Sequence, residues 1–75
     1  MNNVVRFQLG DKEYPGSQSL FEAMKNGDKA RVYIWTVEMR DDYYYWNGRA
    51  FKNYWSCMGA IDGEWFGKVK PRLGL

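Results

Sequence analysis

The sequence predicts an α+β fold: a small, strongly bent antiparallel sheet of five or six strands, forming a partly open barrel, with one short helix. Three observations support this prediction. Short segments alternate between apolar and polar residues, as half-buried strands do. Tight-turn pairs, clearest at Asn47–Gly48, separate several of these segments. One stretch beginning at Ser19 instead has apolar residues at helical spacing. The 75 residues form one domain, residues 1–75.

The first predicted element is a hairpin near the N-terminus. Residues Val4–Leu9 alternate as a half-buried strand does. Gly10–Asp11 is then a two-residue turn into a short strand, Lys12–Tyr14. Pro15–Gly16 ends this strand, because both residues are strong chain breakers.

A short helix follows the hairpin. Ser19 and Glu22 have the spacing of a capping box, in which each side chain bonds the other residue's backbone N–H. Asn26–Gly27 supplies a left-handed stop. The helix has about two turns, too few to hold in isolation, so it must dock on the sheet. Its apolar stripe consists of Leu20, Ala23 and Met24.

Residues Ala30–Met39 are predicted as one long strand. Both of its faces are largely apolar, which is typical of a central strand that is covered on both sides. The chain turns at Arg40–Asp42 and returns antiparallel as Tyr43–Trp46. The turn at Asn47–Gly48 fixes the next register, in which Trp46 faces Arg49, Tyr45 faces Ala50 and Tyr44 faces Phe51.

The C-terminal third gives mixed signals. Residues 52–61 fit either a helix or a strand. Asp62–Gly63 predicts a second hairpin turn, followed by a strand over Glu64–Val69 that Pro71 ends. The basic residues Lys68, Lys70 and Arg72 are interpreted as a solvated edge strand, where lysines discourage pairing with other sheets.

The most distinctive segment is the run of four consecutive aromatic residues, Tyr43–Trp46. Successive side chains of a strand point to opposite faces, so Tyr44 and Trp46 share one face and Tyr43 and Tyr45 share the other. Only one of these pairs is needed for the core. The other pair requires a ligand, a partner or a sister subunit.

Composition argues against most catalytic chemistry. The chain has no histidine and one cysteine, Cys57, so it offers neither a His-based triad nor the usual zinc ligands. Cys57 is expected to be a small core residue. No Gly-rich phosphate loop precedes a Lys-Ser/Thr pair. We therefore expect a non-enzymatic protein without a cofactor or metal.

Charge and hydropathy restrict the partners and the location. A net charge of +2 makes duplex DNA an unfavourable partner. Neither a secretory signal nor a membrane-length apolar run is evident, and the single cysteine suits a reducing compartment. These features predict a cytoplasmic protein that does not enter membranes.

Binding is the function that the residues favour, because aromatic rings stack on nucleobases while arginines contact phosphates. Core packing must account for at least half of the rings, and a cation–π contact of Arg49 on Trp46 is an equal alternative for that arginine. Trp55 is a further aromatic candidate. The predicted ligand-binding residues are Arg31, Tyr33, Trp35, Arg40, Tyr43, Tyr45, Trp46 and Arg49.

The run Ser19–Trp35 resembles a helix-to-strand unit of small phage proteins, in which a Glu-Ala-Leu/Met-Lys helix ends at Gly and a basic strand with a tryptophan follows. The Thoeris anti-defence sponge family, which sequesters cyclic nucleotide signals of bacterial immunity, contains such a unit. The resemblance implies a phage-encoded anti-defence protein in the host cytoplasm that binds a cyclic nucleotide. It also implies a homo-oligomer with ligand sites between subunits, and it makes the strand after Gly27 a wall of the site.

Two other functions remain open from the sequence. One is a protein-binding inhibitor of a host defence complex, of the anti-CRISPR or host-takeover type, with the aromatic hairpin as its hot-spot patch. The other is a single-stranded nucleic-acid module, for which a net charge of +2 is low.

Overall fold

The computed structural model describes residues 7–73, and the side chains of residues 7–72. A six-stranded sheet is followed by a long C-terminal helical region, and a short helix lies between the second and third strands. The last three helical elements follow one another without a break. In chain order the elements are β1 (Phe7–Leu9), β2 (Lys12–Glu13), α1 (Ser17–Ala23), β3 (Lys29–Val32), β4 (Trp35–Arg40), β5 (Tyr43–Trp46), β6 (Arg49–Phe51), α2 (Tyr54–Glu64), a π-helical segment (Trp65–Val69) and α3 (Lys70–Leu73).

All neighbouring strands of the sheet are antiparallel, in the order β2-β1-β3-β4-β5-β6. The α+β class and the six strands are therefore confirmed, and the sheet is not closed into a barrel. Within the described residues, no helix is both long enough and apolar enough to cross a membrane.

The helices cover one face of the sheet and enclose the core there. Trp65 and Phe21 are the largest fully buried side chains, and each packs with aromatic residues of the sheet. Cys57 is fully buried, as predicted. The buried residues are Leu20, Phe21, Met24, Ala30, Val32, Tyr33, Val37, Trp46, Phe51, Cys57, Met58, Ile61 and Trp65.

The hairpin turns follow local backbone chemistry. Asn47 and Gly48 both have positive φ (55° and 74°), as the two-residue turn requires, and the predicted register of β5 with β6 is confirmed. Asp41 and Asp42 adopt the same conformation at the β4–β5 turn, with φ of 54° and 66°. The N-terminal turn is also confirmed, since Leu9 pairs with Lys12. The predicted start of that first strand, residues 4–6, lies outside the described residues.

The prediction of one strand over Ala30–Met39 is wrong. The chain turns at Tyr33 and Ile34, so β3 and β4 are two antiparallel strands in which Val32 pairs with Trp35. Tyr33 takes a positive φ of 56°, which is rare for a bulky side chain. Two contacts hold it there: its hydroxyl donates to Asp62 at 2.6 Å, and its ring stacks on Trp65 at 4.9 Å. The prediction that this strand is covered on both faces is wrong as well, because the helices pack against only one face of the sheet.

The predicted turn at Asp62–Gly63 and the strand Glu64–Val69 are also wrong, because these residues are helical. Asn53 starts the helix: its side chain accepts from the Ser56 N–H at 3.0 Å. Ile61, Trp65 and Val69, spaced four apart, form its inward stripe. The basic residues assigned to an edge strand lie on this helical region instead, where Lys68 pairs with Glu64 at 3.2 Å.

The capping box predicted for the first helix is wrong too. The helix begins at Ser17, and Ser19 lies inside its first turn, where its hydroxyl donates to the Gly16 carbonyl at 3.1 Å. The helix ends at Ala23, before the predicted stop. Gly27, with φ of 96°, instead belongs to a separate turn closed by the bond from the Asp28 N–H to the Lys25 carbonyl.

Candidate functional site

The sheet face that the helices leave uncovered is the candidate site, and we call it the open face. Alternate residues of each strand point to it, while their neighbours point to the core. Cross-strand pairs align these residues in rows, such as Gln8–Arg31–Thr36 and Lys29–Glu38–Tyr45. The side chains on this face include those of Gln8, Lys29, Arg31, Thr36, Glu38, Arg40, Tyr43 and Tyr45.

Two adjoining depressions make a trough across the open face. The first has a volume of about 540 Å³ and is lined in part by Gln8 and Arg31. The second has a volume of about 270 Å³ and reaches Tyr45. Lys29 and Thr36 line both depressions, so the two lie side by side. Because neighbouring strands lie about 4.8 Å apart, the trough is about 14 Å long from β1 to β5.

Charge is divided unevenly along the trough. Its β1–β3 end holds two exposed cations, Lys29 and Arg31. Its β4–β5 end holds the carboxylate of half-buried Glu38. Lys29 lies opposite Glu38 in the register, yet none of these three groups forms an ion pair within 4.0 Å among the described residues. The charged groups are therefore available to a ligand.

Aromatic side chains lie at the β5 end of the open face. Tyr45 lines the trough, and the Arg40 guanidinium covers its ring at 4.3 Å from the centroid. Tyr43 is 39% exposed and lies two residues away on the same face, about 7 Å along the strand. The predicted division of the four aromatics is confirmed, since Trp46 is buried and Tyr44 packs on Phe21.

The structure places three of the predicted aromatic residues of the site in the core, on the helix side of the sheet. Tyr33 is 8% exposed. Its burial and its hydrogen bond to Asp62 raise the pKa of its hydroxyl well above the ordinary value. Trp46 is buried, and Trp35 is half-buried between Trp46 and Trp65. These rings belong to the core, and Trp46, although it is buried, also borders the second depression beside Tyr45.

Two other candidates are exposed but lie apart from the trough. Arg49 shares the helix-side face with Phe51, and its guanidinium lies over that ring at 4.9 Å. It does not make the cation–π contact with Trp46 that the sequence offered as an alternative. Trp55 lies on α2 and is 66% exposed. Of the eight predicted site residues, the open face brings together Arg31, Arg40, Tyr43 and Tyr45.

Four residues of the site were not predicted: Gln8, Lys29, Thr36 and Glu38. Their alternation with apolar neighbours was visible in the sequence. The turn at Tyr33–Ile34 was not, and it changes which residues share a face with Arg31. In an unbroken strand, Arg31 would lie on the face of Trp35; with the turn, it lies beside Thr36.

The described residues contain no group of three or more carboxylate or cysteine side chains that could hold a metal ion. Comparisons with protein-family models, with curated proteins and with solved structures found no match. The geometry of the open face is therefore the basis for a function.

Proposed function

We propose that this chain is a non-enzymatic binding protein that holds a nucleotide-type ligand in the trough of the open face. The main supporting observation is that two adjoining depressions have cations at one end, without ion pairs among the described residues, and a tyrosine ring at the other end. A nucleotide has the same division, because its phosphate is anionic and its base is flat and apolar on both faces.

The phosphate end of the trough is formed by Lys29 and Arg31. An arginine offers a planar fork of N–H donors that matches phosphate oxygens, and a lysine adds a compact charge. Thr36 lies between them and the β5 end, and its exposed hydroxyl can donate to the same group. Since neither cation has a carboxylate partner among the described residues, binding breaks no ion pair.

The base end is formed by Tyr45 with the Arg40 guanidinium over its ring. A base can extend this stack, and stacking on an aromatic side chain contributes about 1–3 kcal/mol per base. The hydrogen-bonding edge of the base then lies toward β4 or toward the Asn47–Gly48 turn.

Two sources supply such a ligand. The resemblance of residues 19–35 makes a cyclic nucleotide signal of bacterial immunity the first to test, with the chain acting as a phage-encoded sponge. A short single-stranded oligonucleotide has the same phosphate and base chemistry.

Calorimetric titration with a panel of cyclic dinucleotides, cyclic trinucleotides and linear tetranucleotides tests the proposal. We expect Arg31→Ala to weaken binding at least tenfold. The matched control is Arg49→Ala, which removes the same charge from an exposed arginine outside the trough and should change Kd less than twofold. Failure of the folded protein to bind any member of the panel, or equal losses in the two variants, would remove the proposal.

A second function, protein binding, is favoured by a different surface. Trp55 is 66% exposed and Phe66 is 52% exposed, and they lie eleven residues apart on the C-terminal helical region. Exposed aromatics at this spacing suit a protein partner, and a sister subunit would give the homo-oligomer expected from the sequence. Measuring the mass of the protein in solution tests this second proposal. Trp55→Ser should convert a dimer into a monomer, and a wild-type protein that is already monomeric would refute the homo-oligomer.

A further inference from the structure

We infer that Glu38 selects the base of the ligand. The trough then binds guanine in preference to bases that lack two adjacent hydrogen-bond donors on one edge. This inference rests on the proposed function, because it concerns the same trough. The observation behind it is the position of a half-buried carboxylate directly beside the ring on which the base stacks.

The register fixes that position. Glu38 is the cross-strand partner of Tyr45 on one side and of Lys29 on the other. Side chains of directly paired residues have Cβ atoms about 4.5–5.5 Å apart. A base stacked on Tyr45 therefore presents one edge to the Glu38 carboxylate, within reach of direct hydrogen bonds.

The carboxylate of Glu38 is not engaged elsewhere in the described structure. It forms no ion pair with Lys29 despite their pairing, and no hydrogen bond of its side chain is present among the described residues. Removing a half-buried carboxylate from water without a partner is unfavourable, and a ligand that donates to it restores its hydrogen bonds.

An ionised carboxylate only accepts hydrogen bonds. Guanine presents two adjacent donors, N1–H and the N2 amino group, which can both bond one carboxylate in a bidentate pair. Adenine and cytosine present one amino group. Uracil and thymine flank their single N–H with carbonyl oxygens, which the carboxylate repels. Glu38 also repels phosphate, which favours an orientation with the phosphate toward Arg31, the cation that is not its direct cross-strand partner.

Inosine provides a sharp probe, because its base is guanine without the N2 amino group. The test compares Kd for two ligands of the type that binds best, one with guanosine and one with inosine at the same position. We expect the wild type to prefer guanosine at least tenfold. Glu38→Gln should reduce the preference to less than threefold, since an amide offers one acceptor oxygen.

Glu13→Gln is the matched control, because Glu13 is an exposed carboxylate of the edge strand β2, outside the trough. It should leave the preference unchanged. The inference is overturned if the wild type binds the guanosine and inosine ligands equally. It is also overturned if folded Glu38→Gln keeps the full preference for guanosine. Loss of preference in Glu13→Gln also overturns it. If no nucleotide binds at all, the proposed function fails together with the inference.

Discussion

Tyr33 is the clearest test of how the fold assigns aromatic residues, because its sequence context suggested a ligand contact and the structure makes it a core residue. Its hydroxyl donates to the Asp62 carboxylate at 2.6 Å, which joins the β3–β4 turn to α2. Tyr33→Phe removes this bond and keeps the ring that stacks on Trp65. A hydrogen bond to a charged group contributes about 1.5–3 kcal/mol. We expect the lower end, about 1.5 kcal/mol, because Asp62 is only half-buried.

The loss is large for a domain of this size. One kcal/mol shifts Tm by about 4–8 °C in a domain of 60–100 residues, so Tyr33→Phe should lower Tm by about 6–12 °C. Urea unfolding followed by tryptophan fluorescence measures the free energy, and thermal circular dichroism measures Tm. The variant should nevertheless bind ligand with the wild-type Kd at a temperature where it is folded.

Tyr43→Phe is the matched control for this substitution. The Tyr43 side chain is exposed, and its hydroxyl forms no hydrogen bond with any described residue. Its stability should change by less than about 0.5 kcal/mol. Equal stability of the two variants would refute the Tyr33–Asp62 bond. A tenfold loss of ligand affinity in folded Tyr33→Phe would refute the assignment of Tyr33 to the core.

Two further predictions concern the long C-terminal helical region. Burial raises the pKa of the Cys57 thiol to about 12, whereas an unfolded cysteine has a pKa of about 8.5. The protonated thiol of the folded state therefore contributes its full stabilisation below about pH 8. Above about pH 9 the thiol ionises only in the unfolded state, so the free energy of unfolding should fall by about 1.4 kcal/mol per pH unit. Denaturation between pH 9 and 10 measures this slope, which Cys57→Ala should make much shallower but not flat, because the raised pKa of the Tyr33 hydroxyl adds a smaller loss over the same range; an unchanged slope in that variant would contradict the contribution of Cys57. Gly59→Ala should raise the free energy of unfolding by about 0.5–1 kcal/mol, because an added Cβ meets nothing within 4 Å. A lower Tm of this variant would instead indicate that another chain packs against the glycine.

The features predicted correctly from the sequence depend on local chemistry. Asn47–Gly48 fixed a register of three cross-strand pairs, because both residues tolerate positive φ. Strand alternation then placed Tyr43 and Tyr45 on the face opposite Trp46. The sequence divided the four aromatics into these two pairs but left open which pair faces outward, and the structure shows that it is Tyr43 and Tyr45.

The features that were missed depend on distant contacts. No turn residue marks Tyr33–Ile34, and the positive φ of Tyr33 is held by Asp62, which lies 29 residues further along the chain. That turn determines which residues join Arg31 on the open face, so Thr36 and Glu38 could not be assigned without it.

The C-terminal error has a different cause. Asp62–Gly63 is a common hairpin pair, and its local signal outweighed the four-residue spacing of Ile61, Trp65 and Val69. The buried side of the helix became evident only with the sheet in place, because Trp65 fills the space against Tyr33 and Trp35.

The central claim is that the open face is the binding surface. Its most direct test is a titration of the ¹⁵N-labelled protein with the tightest ligand of the nucleotide panel, followed by amide chemical shifts. We predict that the largest shifts cluster on β3, β4 and β5 around Arg31, Thr36, Glu38 and Tyr45. Largest shifts on the helical surface around Trp55 and Phe66, with the trough amides unmoved, would contradict the claim.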